Sequence, residues 1–385
     1  MIIKGATGSI HILFILTSFS ALLSCDAQKN TRTSETTLIN ESKSLEPWAL
    51  GPFEKENTLN PILTPDDENK FVCPIRRKVV QWEAKDVFNP AAVVKGNKIY
   101  LLYRAEDTVG IHAGTSRIGL AESTDGFYFK KLPQPVFYPS NDFMKKYEWE
   151  GGIEDPRVVE DEKGKYIMTY TAYDGKTARL CVSVSSDLLQ WEKKGPAFGK
   201  VMNGKYIDLW SKSGAIVSKL EGNRLVAQKI NGLYWMYWGD VNMNVATSSD
   251  LIEWTPLENE DGSFQVVFAP RPGKFDSRLV EPGPPPILKE DGILFIYNSM
   301  NLDEGGDPAL PAGTYAAGQV LLDASNPTKL LQRTENYFLH PEQEYEITGQ
   351  IGNVCFLEGL VYFNNSWFLY YGTADSKIAV ATYNP

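Results

Sequence analysis

Charged and amide side chains lie at the boundaries of apolar segments along this chain of 385 residues. In each of five segments, polar groups precede a first apolar run, and another polar group ends the aromatic-rich run that follows. The groups before the first runs are Asn89, Glu154-Asp155-Pro156-Arg157, Lys212, Glu281 and Asn353. The groups that end the second runs are Arg104, Asp174, Asp240, Asn298 and Asp375. Carboxylates set among cations and amides are typical of proton-transfer sites, because neighbouring charges tune the pKa of a carboxyl group.

A pocket built from these residues suits the cleavage of a glycosidic bond. That reaction needs a proton donor for the leaving oxygen and a base or nucleophile across the sugar ring. Asp155 precedes Pro156 and is therefore expected to be extended, with Arg157 pointing the same way two residues on. The chain has only 3 His, and no Cys, His or acidic spacing typical of metal ligands, so we expect neither a metal nor a cofactor.

A repeat of about sixty to seventy residues predicts the elements that position these groups. Turn aspartates Asp125, Asp187 and Asp250 follow one another at spacings of 62 and 63 residues, and Asp323 comes after a longer insertion. Such aspartates usually bond to their own turn backbone, so we assign them no chemistry. Four short strands per repeat, five times over, predict an all-β fold, a five-bladed β-propeller. The start of the first strand and the end of the second would then meet at one rim, around an axial active-site pocket.

Composition excludes some classes of function. A net charge of −10 argues against binding nucleic acid, which needs a basic surface. Aromatic residues form 12% of the chain, which favours β-sheet cores and also suits sugar rings. Beyond the N-terminal region, Cys73, Cys181 and Cys355 are an odd number at wide spacing, and the last two are expected in the core.

The N-terminus predicts export. An apolar stretch from Ile10 to Leu23 follows Lys4 and ends before Ser24-Cys25, as in a bacterial lipoprotein signal whose cysteine is lipidated. An ordinary signal peptide is the alternative. The predicted organisation is a signal peptide over 1–25, a flexible tether over 26–46 and a catalytic domain over 47–385. The expected location is a bacterial membrane surface, periplasmic or outside the cell, reached through the lipid anchor.

Several motifs run over nearly the whole chain after the tether: FNPAAVV (88–94), LLYR (101–104), GIEDPRVV (152–159), YTAYDGKTARL (170–180), PGPPPI (282–287), TGQIGNVCF (348–356) and YYGTAD (370–375). Together they resemble glycoside hydrolase family 130, which contains mannoside phosphorylases and β-mannosidases built as five-bladed propellers. The resemblance implies that Asp155 is the general acid, acting through a hydroxyl of the mannose ring. It also implies that Arg104 and Asp375 hold the mannose, and that Asn89 contacts a sugar. The full predicted substrate-binding set is Asn89, Arg104, Arg157, Lys212, Tyr297, Asn298 and Asp375.

Departures from the family pattern favour its hydrolases over its phosphorylases. The phosphorylases that this chain resembles carry a histidine in the strand that here reads Ile296-Tyr297-Asn298-Ser299, so that Asn298 replaces it. Glu281 stands where a small, glycine-rich stretch is usual, and its carboxylate would repel phosphate but could activate water. Asp240 is the second candidate base, and Glu358 the third.

The sequence therefore predicts an inverting β-mannoside hydrolase, with Asp155 as acid and Glu281 or Asp240 as base. Its expected substrate is a mannose-containing oligosaccharide, β-1,2-linked or derived from an N-glycan. A phosphorylase whose phosphate site uses Arg104, Arg179 and Lys212 remains the first alternative. The second is a glycan-binding lipoprotein without catalysis.

Overall fold

The computed structural model describes residues 45–385, whose regular secondary structure consists almost entirely of β-strands. Over this range helices are limited to α1 (Lys145–Glu148), α2 (Glu344–Ile347) and one 3-10 turn (Val201–Gly204). No helix within 45–385 is long and apolar enough to cross a membrane. The all-β prediction is confirmed. The predicted signal peptide, Cys25 and nearly all of the predicted tether lie outside the described residues.

Three strands precede the first repeat, and sequence analysis missed them. They are β1 (Glu54–Lys55), β2 (Asp66–Cys73) and β3 (Lys78–Glu83). Strands β2 and β3 form a separate antiparallel hairpin. Strand β1 instead pairs with the last strand of the chain, so that Glu54 lies opposite Thr382. Its two residues are too short for a periodic pattern to reveal.

The first two repeats each form a four-stranded antiparallel unit, as predicted. Unit 1 contains β4 (Asp86–Lys95), β5 (Lys98–Glu106), β6 (Ser116–Ser123) and β7 (Lys130–Lys131). Unit 2 contains β8 (Gly152–Glu160), β9 (Tyr166–Tyr173), β10 (Ala178–Ser185) and β11 (Trp191–Pro196).

The remaining repeats follow the same order with more irregular first strands. Unit 3 contains β12 (Gly214–Ile216), β15 (Lys229–Ile230), β16 (Leu233–Trp238), β17 (Met243–Ser248), β18 (Thr255–Pro256) and β19 (Val266–Phe268), with an inserted hairpin of β13 (Ser218–Glu221) and β14 (Arg224–Ala227). Unit 4 contains β20 (Leu279–Pro282), β21 (Ile287–Leu288), β22 (Ile293–Met300), β23 (Tyr315–Leu322) and β24 (Leu330–Arg333). Unit 5 contains β25 (Cys355–Phe363), β26 (Ser366–Thr373) and β27 (Lys377–Tyr383), and β1 completes it.

Turn aspartates close the outer hairpins, as the sequence predicted. Asp125 accepts hydrogen bonds from two backbone N–H groups of its own turn, and Asp187 and Asp250 do the same in theirs. A serine two residues earlier donates to each carboxylate. Their recurrence therefore has a structural cause.

Each large hydrophobic cluster joins two neighbouring units, and hairpins β2–β3 and β13–β14 add residues to two of these clusters. Leu102 of unit 1 packs in one cluster with Met168 of unit 2, and the units that follow are joined in the same way. A further cluster joins unit 5 to unit 1, with Val380 and Leu101 among its members. Most aromatic residues pack in these clusters. Cys181 and Cys355 are buried within them, as predicted, and Cys73 is buried too.

The first strands of units 1, 2 and 5 are interrupted by bulges. The register of β4 shifts between Phe88 and Pro90, and that of β8 shifts between Glu154 and Arg157. Asp155 has a left-handed backbone, with φ of 50°, so the prediction that it is extended was wrong. Because the bulge breaks the alternation of side chains, the prediction that Arg157 points the same way was also unsound. The bulge turns the Asp155 side chain away from the regular sheet face.

Candidate active site

Strand ends from all five units line one cavity of about 200 Å³. Its walls bring together six residues of the predicted site: Asn89, Arg104, Asp155, Lys212, Glu281 and Asp375. The other lining residues are Tyr315, Ile351, Val354 and Phe356. Asn89 and Asp155 lie in bulges at the starts of first strands. Arg104 lies near the end of a second strand, β5, and Asp375 shortly after another, β26. The geometric rule used on the sequence therefore located most of the polar lining.

Asp155 lies at the centre of a network of donors. Its Oδ1 accepts hydrogen bonds from Asn89 Nδ2 at 3.0 Å and from Arg104 Nη1 at 3.2 Å. Lys212 Nζ lies 3.8 Å from its Oδ2. Burial by itself would raise the pKa of this carboxyl, but Arg104 and Lys212 outweigh burial and lower the pKa to about 2. In the free protein Asp155 is therefore a carboxylate at neutral pH.

The cations of the cavity are already paired. Arg104 Nη2 donates to Glu106 at 2.7 Å and to Glu154 at 3.2 Å, while its Nε donates to Ser116 Oγ at 3.0 Å. Lys212 Nζ lies 3.8 Å from Glu154 Oε2, the same distance as from Asp155. Buried charges are tolerated when they are paired in this way. Neither cation is left with its charge uncompensated.

Glu281 differs from Asp155, although both line the same cavity. Its Oε1 accepts a short hydrogen bond from Ser213 Oγ. Burial raises the pKa of Glu281 to about 7, against the opposing effects of Lys212 and the Ser213 hydroxyl. Burial also raises the pKa of Asp375 to about 7, although Arg104 opposes it. A carboxyl group with a pKa near 7 can exchange a proton at neutral pH, which is the property of a general base.

Arg157 lies beneath the cavity and not in its wall. It is 1% exposed, and its guanidinium donates to the backbone carbonyls of Gly283 at 2.8 Å and Pro282 at 2.6 Å. Glu358 Oε1 lies 2.9 Å from Arg157 Nη2. These contacts position the segment after Glu281, so we correct the predicted sugar contact of Arg157 to a supporting one. Glu358 is fully buried and does not line the cavity, which removes the third candidate base.

Three other predicted site residues also lie elsewhere. The Tyr297 hydroxyl donates to Asp276 at 2.8 Å inside a hydrophobic cluster. Asn298 joins units 4 and 5: it donates to Leu357 O at 2.9 Å and accepts from Leu357 N at 2.8 Å. Asp240 accepts a hydrogen bond from Trp210 Nε1 at 2.8 Å and does not line the cavity. Substrate contact by the first two and base action by Asp240 have no geometric support, because strand position alone does not reveal which way a side chain points.

Sequence reasoning missed several functional neighbours. Ser213 follows Lys212 directly in the chain but was assigned no role, and Glu154 was considered only as part of the motif that contains Asp155. Tyr315 and Phe356 form an aromatic wall, with ring centroids 6.0 Å apart. Tyr315 begins β23, a third strand, whereas the sequence rule examined only first and second strands. An aromatic wall suits the apolar C–H face of a sugar.

Residues 55–384 match the family model for glycoside hydrolase family 130, described as β-1,4-mannooligosaccharide phosphorylase. The chain is 32% identical to a 1,2-β-oligomannan phosphorylase of Thermoanaerobacter sp. strain X514, over 83% of this chain and 94% of that protein.

Solved structures are closer in sequence. A glycosyl hydrolase from Bacteroides ovatus is 46% identical, with a TM-score of 0.87 over 89% of this chain and 96% of its own. A second structure has the same identity, TM-score and coverages. It belongs to a study of family members that are glycoside hydrolases and target β-1,2 mannosidic linkages in Candida mannan. With a family model that covers most of its length, this chain belongs to glycoside hydrolase family 130.

Proposed function

We propose that this protein is an inverting hydrolase of β-mannosides, with β-1,2-linked oligomannosides as its substrates. The observation that carries the proposal is Glu281, a buried carboxyl group in the wall of the cavity, held by Ser213 and with a pKa of about 7. Such a group can take a proton from water as the water attacks the sugar. A phosphorylase has no need of this base, because phosphate is itself the nucleophile.

The charges of the cavity support water over phosphate as the attacking group. Arg104 and Lys212 are already compensated by Glu106, Glu154 and Asp155. Arg179, the third cation of the alternative phosphate site, instead donates to Asp174 and Asp208 at 2.7 and 2.8 Å and does not line the cavity. A phosphate dianion would therefore enter a pocket rich in carboxylates, whose two lining cations are already compensated.

Asp155 is the proposed general acid, in keeping with its family motif. Because its pKa is about 2, it must gain its proton after the sugar binds. Because Arg104 and Lys212 lower this pKa, it rises when hydroxyls of the bound sugar take over part of their hydrogen bonding. Asn89 and Arg104 of unit 1 and Asp375 of unit 5 then hold the ring.

Relatives support both reactions of the family. The Thermoanaerobacter protein is named a phosphorylase of 1,2-β-oligomannan, whereas one structure at 46% identity comes from work on hydrolases of β-1,2 mannosidic linkages. Both names agree on the linkage, which is the reason for proposing β-1,2. The greater identity to the second, together with Glu281, favours hydrolysis.

Two further proposals concern the whole molecule. The cyclic sharing of hydrophobic clusters, from unit 1 to unit 5 and back to unit 1, supports a closed five-bladed propeller. The segment that ends at Cys25 supports export and lipid anchoring in a bacterium. Labelling with a radioactive fatty acid, compared between the parent and Cys25→Ser, tests the anchor.

Product analysis tests the reaction directly. The soluble domain is incubated with β-1,2-mannobiose and β-1,4-mannobiose, each with and without millimolar phosphate. We expect free mannose from the β-1,2 substrate without phosphate, and its loss in Glu281→Gln. Mannose 1-phosphate that forms only with phosphate would establish the phosphorylase instead, and binding without either product would establish a glycan-binding protein.

A further inference from the structure

Trp210 is a large aromatic side chain that the fold leaves open to solvent. It is 50% exposed and lies in the segment between the 3-10 turn and β12. Its indole N–H donates to Asp240 Oδ2 at 2.8 Å. Single exposed apolar residues are common on proteins, so exposure alone says little. Here, however, a carboxylate fixes the polar edge of the ring while much of the ring stays uncovered.

The turn that carries Asp240 is fastened to both sides of the cavity wall. Gly239 N donates to Lys212 O at 3.0 Å, and Val280 N donates to Val241 O at 3.0 Å. Lys212 itself lines the cavity, and Val280 directly precedes Glu281, which also lines it. Trp210 is two residues from Lys212, so its Cα lies within about 7 Å of the Cα of that lining residue, and we call this neighbourhood the rim of the cavity. Val241, 53% exposed, adds apolar surface at the same rim.

This arrangement suits the binding of a sugar. An exposed indole offers a flat apolar face for the C–H groups of a pyranose ring, and a neighbouring carboxylate can accept hydrogen bonds from its hydroxyls. Fixing the indole through Asp240 before the sugar arrives lowers the entropy that is lost on binding. The sequence singled out Asp240 as a candidate base, but its bond to Trp210 points to this different use.

We propose that Trp210, held by Asp240, is a subsite for a hexose ring of an oligomannoside that extends out of the cavity. This inference rests on the proposed function for the identity of the sugar. A single mannose inside the cavity would not contact Trp210, whereas two or more linked rings would reach the rim. The pair would thus select oligosaccharides over the monosaccharide.

Binding measurements on the Glu281→Gln background test the subsite without turnover. Mannose, β-1,2-mannobiose and β-1,2-mannotriose are titrated by calorimetry into this parent, Trp210→Ala, Trp210→Phe and Asp240→Ala. Tyr128→Ala is the matched control, because Tyr128 is a 72% exposed aromatic on the outer turn of Asp125. We expect Trp210→Ala to weaken trisaccharide binding about tenfold and to leave mannose binding within about twofold. Trp210→Phe should retain most of the affinity for the trisaccharide, Asp240→Ala should lose part of this affinity, and Tyr128→Ala should lose none.

Each other outcome has a definite meaning. Unchanged trisaccharide binding in Trp210→Ala overturns the subsite, and so does an equal loss of mannose and trisaccharide, which would indicate a damaged cavity. A parent that binds no mannoside overturns it as well. If the wild-type protein binds oligomannosides through Trp210 but releases no mannose from them, the subsite stands and the proposed hydrolase falls.

Discussion

The hydrogen bond from Ser213 to Glu281 should control the pH at which the enzyme becomes active. The hydroxyl stabilises the ionised carboxylate, so its removal raises a pKa that is already about 7. A hydrogen bond to a charged group contributes about 1.5–3 kcal/mol, and one pKa unit corresponds to about 1.4 kcal/mol. We therefore expect Ser213→Ala to raise the pKa of Glu281 by about 1–2 units.

The assay is the pH dependence of kcat/KM for β-1,2-mannobiose, whose acidic limb reports the base of the free enzyme. The midpoint of this acidic limb should move from about pH 7 to about pH 8–9. At pH 7 the ionised fraction then falls from about one half to between about one tenth and one hundredth, so kcat/KM should fall roughly 5- to 50-fold. Above the new limb, the variant should recover the rate of the parent.

Two further variants serve as controls for indirect effects of Ser213→Ala. Ser213 has a left-handed backbone with φ of 50°, so Ser213→Gly removes the hydroxyl at a position that glycine tolerates well. Ser299→Ala removes another buried hydroxyl, one that donates to the carbonyl of Ala316 at 2.8 Å, and should leave the limb in place. A limb that stays near pH 7 in both Ser213 variants would refute the assignment of Glu281 as base.

Three further predictions concern the carboxylates and their partners. Glu281→Gln should stabilise the fold by about 3 kcal/mol at pH 8, because a pKa raised from 4.5 to about 7 makes the ionised carboxylate costly in the folded protein. This gain in stability should vanish as the pH falls to about 4.5. Thermal melting of both proteins across this pH range measures it, and a gain that does not change with pH would contradict the prediction. Arg157→Met should lower the free energy of unfolding in urea by about 1–3 kcal/mol, because the buried carbonyls of Gly283 and Pro282 lose their donor and Glu358 loses its neighbouring cation. The double variant with Glu358→Gln should regain part of this loss, and additive losses would argue against the pair. Asp155→Asn should reduce mannose release about 10²–10⁴-fold with the fold intact by circular dichroism, whereas near-normal release would exclude it as the acid.

Local patterns in the sequence were sufficient to predict the all-β fold and its repeats. Strands such as Ile293–Met300 begin with continuous apolar runs, and aspartates such as Asp187 close turns through hydrogen bonds to their own backbone. Both signals depend on residues close together in the chain, so they can be read without tertiary structure. In a propeller, the starts of first strands and the ends of second strands share a rim. This rule also predicted that Asn89, Arg104, Asp155 and Asp375 lie in one site.

Side-chain direction and charge state were decided only by the tertiary structure. The bulge at Asp155 breaks the alternation of β8, so residues two apart, Asp155 and Arg157, have different surroundings. Asn298 ends the same kind of strand as Arg104, yet it bonds to unit 5 because Leu357 lies against it. The contrast between Asp155 and Glu281 comes from burial and from the positions of cations contributed by other units. Residue type and spacing thus determined which groups meet at the rim, whereas long-range packing determined which of them face the cavity and which carry a proton.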